Sequence, residues 1–449
     1  MAHDTREQQT ANSEQQWPKE GYAWAVLGIL TLTFAVATLD RLVLSLLIEP
    51  IKHDLLLSDF QLSLLQGLSF VIFYVLMGIP AGYVADRFPR KYLIAVGATF
   101  WSIMTASCSL AGTFVQLFIA RIGVGVGEGT LSPGAYSLIA DYFKPARLAR
   151  AFSIFQLGAY LGIGVAYIAG AAVLSALAHL SLRSIPIIGA MSLWQLTFLI
   201  VSAPGFLMAL LMAFAVREPE RKHAQHAVPS ADGAKDVNFW AFLAQSFWLL
   251  FGTLGAAAML GLVGYGVISW TPSFFVRQFH WRIADIGFAY GAIIFLVGGA
   301  GSLIGGVLAD ILSKRGESAN LMWVSIVSIA ATTGFCIAYP LSTTEQTALA
   351  ALCGATFFMS LPSSVAPTFL QLVTPNRLRG RVAAIHVTLI SLLGAAGGPM
   401  AVAAATDFVF HDPAKIRYAI AVVSAVGGPI SLALSILSYV QYRRFLRRG

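Results

Sequence analysis

From Gly21 to Ile48 the chain reads GYAWAVLGILTLTFAVATLDRLVLSLLI. A run of this length crosses the ~30 Å hydrocarbon core of a bilayer as one helix, since each backbone polar group there must be satisfied within its own segment. Eleven more apolar runs follow, giving twelve spans at 22–48, 60–84, 91–112, 114–139, 148–176, 193–215, 242–275, 284–311, 320–340, 345–372, 380–407 and 416–440. With 57% hydrophobic and 11% charged residues and a mean hydropathy of +0.75, a soluble globular protein is excluded. The fold class is an all-α polytopic membrane protein.

Lys and Arg orient the spans. Of the 29, 21 fall on the side of the two tails and alternate loops, and six fall opposite: Lys52, Arg183, Arg277, Arg282, Lys415 and Arg417. The remaining two, Arg41 and Arg121, lie inside spans. Because bases gather on the cytoplasmic face, both termini are expected there, and the short loops fit a bacterial inner membrane. The net charge of +8 is then a topology signal, and no nucleic-acid partner is expected. The N-terminal tail has more acids than bases and reads as disordered, and the first run is too long for a signal-peptide core. Cys108, Cys336 and Cys353 all lie within spans without metal-ligand spacing, so they read as small apolar residues; no metal or cofactor is expected.

The chain repeats itself. GYVADRFPRK, Gly82 to Lys91, is echoed almost half the chain further on by GGVLADILSKRG, Gly305 to Gly316, when Asp86 is aligned with Asp310. Each acid is followed four and five residues later by a basic pair, Arg90 and Lys91 or Lys314 and Arg315. KPARLARA before the fifth span has its echo in TPNRLRGRV before the eleventh. Such an offset implies two six-helix repeats of like orientation. The expected organisation is a tail at 1–20, an N-terminal bundle at 21–215, a cytoplasmic linker at 216–240, a C-terminal bundle at 241–440 and a basic tail at 441–449. A carboxylate at a helix end can accept bonds from a neighbouring helix N-terminus while bases anchor at the membrane surface. Asp86, Arg90, Asp141, Asp310 and Lys314 are accordingly candidate gating clasps.

These loops resemble the signature loops of the major facilitator superfamily, with Pro89 standing where the usual motif has Gly. RIGVGVGEG, Arg121 to Gly129, is similar to that superfamily's fourth-helix motif, and GAYLGIGVAYIAG, Gly158 to Gly170, to its glycine-rich fifth helix. More narrowly, LDR, GVGEG, SLIADYF, SIFQLGAYLG and ISWTPSFFVRQFHW resemble the spinster family, a branch associated with sphingolipid and lysolipid export. The resemblance implies a secondary transporter, not an enzyme, working by alternating access. Anion and proton symporters of the superfamily share the Asp-Arg pair and the fourth-helix Arg and acid. A symporter of small organic anions such as sugar acids is therefore the alternative.

Buried charge is the feature that most needs a function. Four unpaired ionised groups at the bilayer centre would cost roughly 10 to 14 kcal/mol on insertion scales, so Asp40, Arg41, Arg121 and Glu128 must be paired or wet. With a helical rise of about 1.5 Å per residue, Asp40 and Arg121 stand level, and Arg121 and Glu128, two turns apart, share a face. The expected pairs are Asp40 with Arg121 and Arg41 with Glu128. Asp40 and Glu128 are candidate proton carriers, and a proton on either frees a guanidinium, Arg41 or Arg121, to bind an anion. A static brace between the first and fourth helices is the other reading.

The C-terminal half offers only His386 as a titratable group well inside a span, together with many aromatics. His386 reads as a hydrogen-bonded core residue. Tyr265, Trp270, Phe275 and Phe369 are candidate walls for an apolar tail. An anionic amphiphile, carried with protons by a protein acting as a monomer among membrane lipids, is the expected partner.

Overall fold

The computed structural model describes residues 17–179, 184–185, 189–221, 239–314, 318–375 and 378–446. The expected N-terminal tail and the linker lie largely outside these described residues. Eleven of the helices are long and apolar enough to span a membrane. They are α1 Glu20–Leu55, α2 Asp59–Arg87, α4 Phe114–Tyr142, α5 Arg150–Ala178, α6 Leu193–Ala215, α7 Phe247–Phe279, α8 Ile283–Ala309, α9 Leu321–Leu341, α10 Glu345–Val373, α11 Arg379–Phe410 and α12 Pro413–Arg444. The twelfth, α3 Arg90–Cys108, has 19 residues and packs against α4 and α6; Arg90 and Lys91 in its first turn dilute its hydropathy. Ser184–Ile185 and Gly189–Ala190 form a two-residue antiparallel pair in a stretch expected as loop. A separate short helix, Phe239–Gln245, precedes α7, whose expected start at 242 moves to Phe247 because the chain breaks at Ser246.

The repeat is visible in the backbone. α1 ends at Leu56 with φ 53° and α7 ends at His280 with φ 56°. These left-handed caps, a conformation that normally favours glycine, are separated along the chain by the same offset as Asp86 and Asp310. The two six-helix bundles touch along α2 with α11, α5 with α8 and α1 with α7. The contacts are close because small residues line them. A Cβ on Gly67 of α2 would lie 2.7 Å from the Ala396 backbone of α11, so only glycine fits there. Both helices carry a π-helical turn at that contact, Leu64–Leu68 and Ile390–Ala396.

One end of the bundle pair carries the segment after α6, near Arg217, and is called here the linker end; the other is the far end. Hydrogen bonds joining the halves gather toward the far end. Arg277 of α7 donates to both oxygens of Asp59 at 2.7 and 2.8 Å and to Glu49 at 2.9 Å. Bidentate arginine–carboxylate geometry makes this a specific lock. Lys52 also pairs with Asp59, and the Phe60 N–H donates to Asp407 of α11 at 2.7 Å. Deeper in, the Tyr167 hydroxyl of α5 donates to the Ile268 carbonyl at 2.6 Å.

Candidate functional site

α1 carries Asp40 and Arg41 on adjacent residues, hence about 100° apart around the helix. Arg41 turns toward the space between the halves and keeps a fifth of its side chain exposed. It donates to Glu128 of α4 at 2.7 Å, the expected pair. Its guanidinium lies 4.3 Å from the Phe70 ring centre and 5.2 Å from that of Tyr74, both on α2. These rings favour a cation electrostatically without consuming its hydrogen-bond donors. Arg41 Nε and Glu128 Oε1 are buried and make no hydrogen bond among the described residues.

The second expected pair is not formed. Arg121 is fully buried and donates to three main-chain carbonyls instead: Asp40 at 3.2 Å, Arg41 at 3.3 Å and Leu65 at 3.3 Å. Leu65 belongs to the π-helical turn of α2, so this arginine ties α4 to α1 and α2 at once. Carbonyl dipoles converging on one guanidinium satisfy it without a carboxylate. Asp40, also fully buried, has no hydrogen bond to either carboxylate oxygen among the described residues, although Arg121 and Glu128 are near enough to act on it through charge.

Across from Arg41 a cavity of about 400 Å³ runs into the C-terminal bundle. Tyr265, Phe369 and Met359 line it, and it reaches Met322 of α9 and Ser435 of α12. Tyr265 is also close enough to Arg41 to join the cavity to the charged group. Trp270 and Phe275 do not line it. Both are fully buried toward the far end, where Trp270 donates to the Pro399 carbonyl at 2.9 Å and Phe275 packs on Phe274, Phe279 and Trp281. They lie where the halves close on each other, so depth along α7 decided against them. His386, expected in the core, stands in the cavity wall with its Nδ1 unbonded among the described residues.

At the linker end Arg90 pairs with Asp141 and donates to Glu218 at 2.7 Å and to the Ser137 hydroxyl at 2.9 Å. The Lys91 N–H donates to Glu218 at 3.0 Å. This knot joins α3, α4 and the end of α6 within the N-terminal half. Asp86 is exposed and makes no hydrogen bond or ion pair among the described residues. The side chains of Asp310 and Lys314 lie outside the described residues.

Phe70 and Tyr74 escaped the sequence reading, although their spacing of four on α2 is the signal for one shared helix face. The Arg277 lock also escaped, because Lys52 and Arg277 entered only as topology charges. Two acids, Asp54 and Asp59, beside Lys52 in the first loop could have pointed to it.

No described group of His, Cys, Asp and Glu side chains could hold a metal ion. Residues 29–399 match the sequence profile of the Major Facilitator Superfamily. Protein spinster homolog 1 of Xenopus tropicalis is 25% identical over 89% of this chain and 78% of its own. A probable galactarate/D-glucarate transporter of Bacillus subtilis is 26% identical over 67% of both chains. The crystal structure of a bacterial homolog of the human lysosomal transporter spinster, inward-facing and unoccupied, superposes with a TM-score of 0.80 at 26% identity, covering 96% of this chain and 99% of that one. The profile match over most of its length, with two repeated helical bundles among the described residues, makes the chain a member of the Major Facilitator Superfamily, similar within it to the spinster proteins.

Proposed function

We propose that the protein carries an anionic amphiphile across the membrane by alternating access, driven by protons, with its linker end in the cytoplasm and the cavity opening there. One observation carries this reading: Arg41, with an unbonded Nε, stands near Tyr265, which lines a cavity whose walls are mostly apolar. The guanidinium suits a phosphate or carboxylate head. Thr253 and Ile268, both cavity residues of α7, are four helical turns apart, roughly 22 Å along the axis, long and narrow as an alkyl chain requires. The far-end lock and the likeness to an inward-facing spinster structure both support a cytoplasmic opening.

In this scheme Glu128 holds Arg41 while it is ionised. A proton on Glu128 releases the guanidinium to the anionic head, and a proton on Asp40 removes the negative charge beside Arg121. The change in charge biases the two bundles toward one of their two packings. The Arg277 lock opens as the linker end closes, with the Arg90 and Asp141 knot, Asp86, Asp310 and Lys314 acting as its clasps. The protein works as a monomer.

The test is uptake into proteoliposomes of a lysophosphatidic acid series with growing acyl chains, beside glucarate, under an imposed pH gradient. Each CH₂ buried is worth ~0.8 kcal/mol, about fourfold in KM. A KM that falls with chain length supports the reading. The sugar-acid relative favours the second reading, a symporter of small hydrophilic acids, and transport of glucarate alone would establish it and refute the first.

A further inference from the structure

Beside Asp40 lies a group of polar atoms that the transport scheme does not use. Trp101 and Thr105, one turn apart on α3, are both fully buried and near enough to interact with the Asp40 carboxyl. Trp101 Nε1, Thr105 Oγ1 and both carboxylate oxygens of Asp40 make no hydrogen bond among the described residues. Four unbonded polar atoms at one buried spot are unusual, since each costs free energy unless it finds a partner.

Their chemistry is complementary. An indole N–H can only donate, an ionised carboxylate can only accept, and a threonine hydroxyl can do either. Trp101 is also held in place: a Cβ on Gly127 of α4 would come within 2.7 Å of the Trp101 side chain, and one on Gly205 of α6 within 3.1 Å of its Nε1. Two glycines thus leave the ring room to sit against α4 and α6.

We propose that Trp101 and Thr105 are positioning residues that donate to the ionised form of Asp40, directly or through one bridging water, and so set the pH at which the charged cluster changes state. A water at this spot would have the two to four polar partners it needs. A monovalent cation is disfavoured, because the indole N–H and the Arg121 guanidinium both direct positive charge at the site. The other ionisable groups facing Asp40 are Glu128 and Arg121 of α4 and Cys108 of α3, with Arg41 next to it on its own helix. While Glu128 is ionised, none of them supplies a neutral nitrogen or oxygen donor, which is what Trp101 and Thr105 add.

The inference rests on Asp40 as a proton carrier, and the experiment separates the two claims without needing the substrate. The carboxylic C=O stretch of the purified full-length protein is followed by infrared difference spectroscopy as a function of pH. Asp40→Asn identifies the band. Removing a donor to a charged carboxylate raises its proton affinity, so Trp101→Phe and Thr105→Val are each expected to move the midpoint to higher pH by about one unit. Thr105→Ser, which keeps the hydroxyl, should restore the original midpoint and serves as the control for a merely structural effect. Midpoints left in place or moved to lower pH overturn the inference alone. A spectrum in which Asp40→Asn removes no titrating band overturns both claims.

Discussion

Arg41 in the N-terminal half and Tyr265 in the C-terminal half occupy the same place in the repeat. Each stands equally far ahead of the left-handed cap that ends its helix, Leu56 or His280, and the two side chains approach each other across the space between the bundles. At the preceding position one half has Asp40 and the other Gly264. The duplicated fold has therefore given one half the charge and the other the cavity. A charged cluster is stable in the N-terminal bundle because Glu128, the Arg121 carbonyl contacts and two aromatic rings surround it. The corresponding site opposite is lined mostly by apolar side chains, so a polar surface and an apolar one face each other across the bundles.

Breaking that difference should have its largest effect at Arg41. Arg41→Ala leaves Glu128 buried without its partner, which costs about 3 to 5 kcal/mol, and it removes the group proposed to bind the anion. Transport is expected to fall more than a hundredfold in proteoliposomes with thermal stability lowered, and near-normal uptake would move substrate recognition elsewhere. Next comes the lock that both halves share. Arg277→Ala removes three charged hydrogen bonds between the bundles, and cysteines placed at the far end should then label at least tenfold faster.

Asp40→Asn is isosteric and should retain the fold while uptake loses its acceleration by a pH gradient, about tenfold. An unaltered response would leave Glu128 as the sole proton carrier. On the apolar side, Phe369→Ala is expected to raise KM for long-chain substrates about tenfold and leave short anions unaffected. The smallest effect belongs to Trp270→Phe, which loses its bond to the Pro399 carbonyl at about 1 kcal/mol of stability. A raised KM in that variant would return Trp270 to the binding wall.

The spans, their arrangement in repeats and the Arg41–Glu128 pair were legible along the chain. Each follows from a local rule: bilayer thickness fixes span length, the half-chain offset fixes the repeat, and the cost of lone charge in lipid makes Arg41 reach for an acid with its long side chain. What Arg121 bonds to follows from packing, since a guanidinium is satisfied as well by carbonyls of α1 and α2 as by Asp40, and those carbonyls converge only when three helices are packed. The same holds for the aromatics. Trp270 and Tyr265 stand little more than one turn apart on one helix and look alike in sequence, yet one is sealed where the bundles meet and the other faces the cavity. Which is which depends on where the two halves touch, a long-range property set by the α2–α11, α5–α8 and α1–α7 contacts and not encoded in the spacing along α7.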